Sequence, residues 1–331
     1  MAQLAQDFAT PSSAPQSLTR SRWGKDGSWL AVMLGVTALE ACWWAVTWSL
    51  GFAPAPYLFS YIAFAFAGLA GAALLRLVLQ PRAASPNWSA TLCATLMVGL
   101  GGSLFLPLKY AIPKLVPFWL DTPLAHAEKS LFTVDPWLLL DRTIGWAAIP
   151  MDRLYGLWLP TQALILFLVI LQPPSAAKAR LLIAYVLAWF VLGVAAALIF
   201  SSAGPIFYDR LFGGSAFAPL RETLHQRGAW VVLVESDRMW TSLESSRPGI
   251  VAGISAVPSI HVAISVWMIL AARMLAPRAA PFALVYAALI WIGSVQLGWH
   301  YVTDGLAGAL GMLALWPLSG TTDRRAKLLL R

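Results

Sequence analysis

Charged residues are scarce in this sequence of 331 residues, since Asp, Glu, Lys and Arg make up 11% of it and hydrophobic residues 59%. Soluble globular domains carry about 25% charged residues, so this composition argues against a water-soluble domain. Cysteine is scarce too. Cys42 and Cys93 lie inside apolar runs, which excludes a disulfide framework and a cysteine-ligated metal site. The composition predicts an all-α, polytopic membrane bundle.

Eight apolar runs have lengths close to the roughly 20 residues that a helix needs to cross a bilayer. They cover roughly 28–50, 57–79, 88–107, 157–171, 181–203, 257–275, 282–298 and 304–319. We therefore expect about eight transmembrane helices, two N-terminal ones in 28–87 and a six-helix catalytic core in 88–320. Basic tails remain at 1–27, expected to be disordered, and at 321–331.

Lys and Arg are absent from the two short turns near 51–56 and 299–303. If the N-terminus is cytoplasmic, thirteen of the 23 Lys and Arg fall inside, with three acids. The other ten lie in two long outer loops, roughly 108–156 and 204–256, among a similar number of acids. This is the positive-inside pattern, and it predicts that both termini are cytoplasmic. The net charge of +8 is thus a topology signal and does not indicate a nucleic-acid partner.

Two short polar islands interrupt the last three apolar runs, at 258–261 and 299–304, and they hold two of the four histidines. An ionisable residue at membrane depth is costly and marks a candidate functional site. In the predicted topology both islands and both long loops lie on the extracytoplasmic face. We therefore expect an active site at that face of a plasma or inner membrane.

The residue types in these islands suit phosphate chemistry. Pro258 is compatible with a first helical turn, which places Ser259 and His261 near a helix N-terminus, where N–H groups and a partial positive charge favour phosphate. His300 and Asp304 are four residues apart, and they share a helix face if the last helix begins near Trp299. Asp304 can then accept one imidazole N–H and leave the other nitrogen free as a nucleophile or a base.

Other interpretations of the same residues remain open at this point. Two histidines and one aspartate could bind a metal ion, because three protein ligands and a water form the usual catalytic zinc site. Ser259 could be only a helix cap, and the pair of His300 and Asp304 could be incidental.

Segments 256–261 (AVPSIH) and 300–304 (HYVTD) together resemble the type-2 phosphatidic acid phosphatase superfamily. Its second motif reads Pro-Ser-Gly-His and its third Ser-Arg-x5-His-x3-Asp. The likeness covers roughly residues 100–320. It is closer to the branch with the fungal inositol phosphorylceramide synthases, where the Gly is replaced and the third motif lacks its Arg. Segment 204–210 (GPIFYDR) also resembles that branch.

The resemblance implies a mechanism without metal or other cofactor. His300 would attack phosphorus and form a phosphohistidine, Asp304 would orient His300, and His261 would protonate the leaving oxygen and then act as base. The partners would be membrane lipids, with a lipid phosphate or phospholipid as donor. A polyol acceptor would make the protein an inositolphosphotransferase-like enzyme, to which the resemblance leans.

Two other functions fit the same sequence. Water as the acceptor would give a phosphatase for lipid phosphates or polyprenyl pyrophosphates. A non-catalytic transporter or scaffold would share the spans, but it would give no reason for two histidines and an aspartate on one face.

The sequence departs from the superfamily in its phosphate clamp. Val295 stands near the position of the third-motif Arg, and Trp240 takes the Lys position of a Lys-x6-Arg-Pro motif that would end at Arg247 and Pro248. Positive charge elsewhere could replace the clamp, since phosphoryl transfer depends on positioning and charge neutralisation. The candidate phosphate-binding residues are Ser259, Arg210, Lys109 and Arg247, and Arg210 is favoured because it belongs to the 204–210 motif.

Overall fold

The computed structural model describes residues 26–82, 84–245 and 253–320, and all regular structure within these ranges is helical. This confirms the predicted all-α membrane bundle. The predicted tails, 1–27 and 321–331, lie outside the described residues except for Asp26 and Gly27. Gly27 is already the first residue of a helix, so the first span begins one residue earlier than predicted.

The described residues form fifteen α-helices. They are α1 (Gly27–Ser49), α2 (Leu58–Leu79), α3 (Trp88–Leu115), α4 (Asp121–Phe132), α5 (Pro136–Ile144), α6 (Ala148–Gly156), α7 (Trp158–Ile170), α8 (Ala176–Leu187), α9 (Ala197–Ile199), α10 (Pro205–Phe212), α11 (Ala218–Gln226), α12 (Trp230–Glu244), α13 (Ile260–Leu275), α14 (Ala280–Gln296) and α15 (Val302–Leu318). A π-helical segment, Ala188–Ala196, joins α8 to α9.

Five helical segments are long and apolar enough to cross a membrane, namely α1, α2, α3, α14 with the short turn before it, and the continuous stretch Ala176–Ile199. A sixth is possible if the pair Pro136–Gly156 and Trp158–Ile170, bent by 43°, counts as one span. The sixth and eighth predicted spans correspond to the shorter apolar helices α13 and α15. Each of the eight predicted runs thus falls on helix.

Helix α3 is longer than predicted, because it continues through Pro107 and Pro113 to Leu115. Proline usually breaks a helix, but neighbouring segments in a membrane bundle can satisfy the freed backbone groups. Leu108 and Ile112 are buried and carry the packed face of α3 beyond its predicted end. Lys109, expected in a loop, therefore lies on a helix.

The two long outer loops contain short helices. The first holds α4, α5 and α6, and the second holds α10, α11 and α12. Helices α1 and α2 pack against α3 and leave large apolar side chains exposed, such as Phe59 at 87%. A large exposed apolar face on a helix of this length suits contact with lipid.

Close contact between α13 and α15 positions the two polar islands. A Cβ at Gly308 of α15 would collide with the carbonyl oxygen of Ser259, so only glycine permits this approach. The Ser259 N–H donates a hydrogen bond to the Asp304 carbonyl oxygen at 2.9 Å. The start of α13 is thereby attached to the first turn of α15.

Candidate active site

His300 lies between Asp304 and Ser259. Its Nδ1 is 3.3 Å from Asp304 Oδ2, and its Nε2 is 3.2 Å from Ser259 Oγ. The side chain of His300 is 5% exposed and that of Asp304 is 0% exposed. Because the carboxylate accepts a hydrogen from Nδ1, the geometry favours the tautomer with its lone pair on Nε2. The expected pairing of His300 with Asp304 is thus present in the fold.

Local backbone structure holds each partner in place. Asp304 Oδ2 also accepts the Tyr301 N–H at 2.9 Å, which caps α15, and the His300 N–H donates to the Ser294 carbonyl oxygen at 3.1 Å. Ser259 is the N-cap of α13, with its Oγ 3.4 Å from the Val262 nitrogen. The two caps therefore fix both ends of the hydrogen-bonded row.

His261 stands across from His300, with 5.8 Å between the ring centroids and an interplanar angle of 63°. Aromatic rings hold it on the other sides. Tyr155 stacks on it at 4.7 Å and Trp158 lies at 4.2 Å. Its Nδ1 is buried and has no hydrogen-bond partner among the described residues. The structure thus brings Ser259, both histidines and Asp304 together.

The predicted phosphate-binding residues Lys109 and Arg210 differ in how they lie relative to the two histidines. Lys109 lies within Coulombic range of His261, and its ammonium group is 5.7 Å from the centre of the Phe105 ring. Arg210 instead donates to Asp237 Oδ1 at 2.6 Å and lies over the Trp240 ring. Among the described residues, none of the hydrogen bonds of Arg210 reaches the histidines. Arg247 lies outside the described residues.

Arg210 borders a cleft of about 210 Å³ that Arg221 also lines and that adjoins the space beside His300 at Pro205 and Phe217. Both arginines share the carboxylate of Asp237, Arg221 at 2.9 Å. A carboxylate between two guanidinium groups neutralises part of their charge, so this cleft is a weaker match for a phosphate clamp than the sequence motif alone indicates.

Two buried acids of α4, Glu128 and Asp121, accept hydrogen bonds from segments that adjoin the site. Glu128 Oε1 accepts the N–H of Thr303 at 2.8 Å and its hydroxyl at 2.9 Å, which fixes the first turn of α15. Asp121 accepts the backbone N–H groups of Ala203 and Gly204, each at 2.8 Å. Burial raises the pKa of the Asp121 carboxyl, and these hydrogen bonds oppose that rise.

The 204–210 motif packs directly on the segment that leads to His300. The Ile206 N–H donates to the Gly298 carbonyl oxygen at 2.9 Å. Gly204 has φ +95°, and a Cβ there would collide with the Trp299 carbonyl oxygen. A glycine is therefore required where this motif meets the residues before His300.

Sequence reasoning missed Tyr155, Trp158, Asp121 and Glu128. These residues are distant in sequence from both polar islands and follow no spacing that links them to a motif. The only available signal was their place in or next to the first long outer loop.

In the parts of the chain that the structure describes, no three His, Cys, Asp or Glu side chains are grouped as ligands for one metal ion. Both ring nitrogens of His300 are instead next to side-chain oxygens, one from Asp304 and one from Ser259. What the geometry offers is therefore an oriented imidazole with a second imidazole opposite.

Comparison with known proteins now identifies the family. The family model of the PAP2 superfamily matches residues 122–318, more than half of the chain. The chain belongs to the PAP2 superfamily. It matches no curated protein and no solved structure. Membership supports a lipid phosphatase or phosphotransferase type of activity.

The matched region includes Ser259, His261, His300 and Asp304, and it excludes Lys109 and Asp121. Val295, near the position of the superfamily's third-motif Arg, lines the small space beside His300 together with Glu128. In this PAP2 protein an apolar side chain therefore stands next to the oriented histidine.

Proposed function

We propose that this PAP2 protein is an inositolphosphotransferase-like membrane enzyme that moves a phosphoryl or phospho-headgroup from a lipid donor to a polyol through a phosphohistidine. The observation that carries the proposal is the row of Asp304, His300 and Ser259, with His261 opposite. Packing of the 204–210 motif against the His300 segment supports the inositolphosphotransferase-like assignment.

In the first half-reaction, Nε2 of His300 attacks phosphorus. The new P–N bond forms as the P–O bond to the leaving group breaks, and Asp304 stabilises the positive charge that develops on the ring. His261 gives a proton to the leaving oxygen. In the second half-reaction, His261 removes the proton of the acceptor hydroxyl, whose oxygen attacks phosphorus, and the P–N bond breaks.

Ser259 and Lys109 would hold the phosphoryl oxygens. The free N–H groups at the start of α13 add a partial positive charge beside Ser259. Lys109 supplies an ammonium group within Coulombic range of His261. Together they replace part of the clamp that Val295 and Trp240 leave incomplete.

Lys109→Met should lower kcat/KM for the lipid donor by roughly tenfold or more, because a hydrogen bond to a charged group is lost while the side-chain length is kept. Lys114→Met is the matched control, since Lys114 lies five residues further along the chain and its ammonium group rests 4.1 Å from the centre of the Tyr110 ring. Equal effects of the two substitutions on initial rates would show that Lys109 does not bind the phosphoryl group.

Product analysis tests the proposed function. Purified protein would receive phosphatidate, polyprenyl pyrophosphate or an inositol phospholipid, each with and without a polyol, and products would be identified by mass spectrometry. We expect a new phosphate ester of the polyol that is absent with His300→Ala. It would be a monoester from phosphatidate or polyprenyl pyrophosphate and a diester from the inositol phospholipid. Free phosphate as the sole product would identify a phosphatase, and no product from any donor would favour a transporter or scaffold.

The positive-inside pattern supports a site that faces away from the cytoplasm. The same assay in sealed, right-side-out vesicles, with a short-chain donor that cannot cross the bilayer, should then give full activity without detergent. Activity that appears only after permeabilisation would place the site on the cytoplasmic face and overturn this orientation.

A further inference from the structure

Tyr155 of α6 belongs to the aromatic wall around His261. Its ring stacks on His261 with 4.7 Å between centroids and 24° between planes. It also lies nearly parallel to Trp299, the residue before His300, at 6.3 Å and 13°. Tyr155 is 9% exposed, so its position is set by packing between the two histidine-bearing segments.

The hydroxyl of Tyr155 is buried and has no hydrogen-bond partner among the described residues. Buried tyrosine hydroxyls are normally hydrogen-bonded, so an unpartnered one needs an explanation. Nδ1 of the stacked His261 is also buried and has no hydrogen-bond partner among the described residues. Two stacked rings beside His300 therefore each present a buried polar atom without a partner among the described residues.

The surroundings indicate what could satisfy these atoms. Tyr155 stacks on both His261 and Trp299, the residue before His300, and its hydroxyl lies within electrostatic range of the Asp304 carboxylate. A hydroxyl and an imidazole N–H can both donate to one oxyanion. A tetrahedral phosphoryl group is such an oxyanion, and it must reach the space between the two histidines if His300 is the nucleophile.

We propose that the Tyr155 hydroxyl is a phosphoryl-binding group, which donates a hydrogen bond to an oxygen of the transferring phosphoryl group between His261 and His300. It supplies a neutral donor in a PAP2 protein whose Val295 and Trp240 stand at or near the positions of the superfamily's cationic residues. The inference rests on the proposed function, because it assumes that phosphorus is held at this point.

Orthovanadate is the probe for this inference, because it is a phosphate-like oxyanion that binds without turnover. Its affinity would be measured by the fluorescence of the detergent-purified full-length protein. Tyr155→Phe keeps the ring stack and removes only the hydroxyl. We expect it to weaken orthovanadate binding by roughly tenfold or more, the loss typical of a hydrogen bond to a charged group.

Tyr286→Phe is the matched control. It also removes a tyrosine hydroxyl, but from α14, eight residues before Ser294, where the hydroxyl interacts with Thr161 of α7. We expect wild-type orthovanadate affinity in this variant. Because Tyr155→Phe breaks no hydrogen bond among the described residues, its melting temperature should stay within a few degrees of the wild type.

Unchanged orthovanadate affinity in Tyr155→Phe would overturn the inference. A loss of affinity accompanied by a large fall in melting temperature would overturn it too, since it would assign the hydroxyl a structural role. Phosphohistidine trapping on the same preparations separates the two proposals. If binding depends on Tyr155 but no phosphohistidine forms, the anion site stands and the proposed function fails. If wild type and Tyr155→Phe form phosphohistidine equally well, the proposed function stands and the inference about Tyr155 fails.

Discussion

Replacing His300 with alanine is expected to reduce turnover by about 10⁵-fold or more, the scale seen when an enzyme loses its nucleophile. His300 is the only described histidine with one ring nitrogen against a carboxylate and the other against a hydroxyl. No neighbouring group can take over an attack that requires this orientation. Initial rates with the donor identified by product analysis are the measurement.

His126→Gln provides the control for this substitution. His126 is exposed on α4, and its replacement changes the histidine content without touching the two polar islands. It should retain wild-type rates. Turnover by His300→Ala within tenfold of the His126→Gln rate would exclude His300 as the nucleophile.

Asp304→Asn is expected to lower kcat by about 10³–10⁴-fold while leaving the fold intact, by analogy with other systems in which an acid orients a histidine. Asp304 Oδ2 contacts both the Tyr301 N–H and His300 Nδ1, so whichever amide atom takes its place must serve both contacts. An amide oxygen there keeps both hydrogen bonds but lacks the negative charge that stabilises the His300 ring during attack, whereas an amide N–H group there favours the histidine tautomer that carries its proton on Nε2. That tautomer has no lone pair where phosphorus must be attacked.

The control for Asp304→Asn is Asp152→Asn, because Asp152 is another buried helix-capping acid. It accepts the N–H groups of Val231 and Val232 at 2.7 and 2.8 Å. Melting temperatures of both variants report the capping effect, and rates report the tautomer effect. Parallel losses of rate and stability in the two variants would show that Asp304 acts only as a helix cap.

The sequence was informative wherever one local pattern decides the structure. The long apolar runs correspond to α1 and α2 within one or two residues, because membrane helices satisfy their own backbone. The four-residue spacing predicted that His300 and Asp304 pair, although α15 begins only at Val302 and His300 reaches Asp304 from the turn before that helix. A proline-serine pair before an apolar run likewise indicated the cap of α13.

Long-range packing could not be predicted in the same way. The continuation of α3 past Pro107 depends on buried contacts, and it moved Lys109 from a loop to a helix. The partner of Arg210, Asp237, lies 27 residues away and nothing near Arg210 signals it. Tyr155 reaches His261 only because two helices far apart in sequence pack together. Such side-chain partners are properties of the tertiary fold, which local periodicity does not encode.

The most direct test of the central claim is a rapid-quench trap with a labelled lipid phosphate, followed by peptide mapping of the labelled protein. We expect the label on His300 in the wild type and no label in His300→Ala. His261→Gln should still be labelled from a donor with a good leaving group, which needs no proton. Label on His261, or an unlabelled wild type that turns over, would contradict a phosphohistidine at His300.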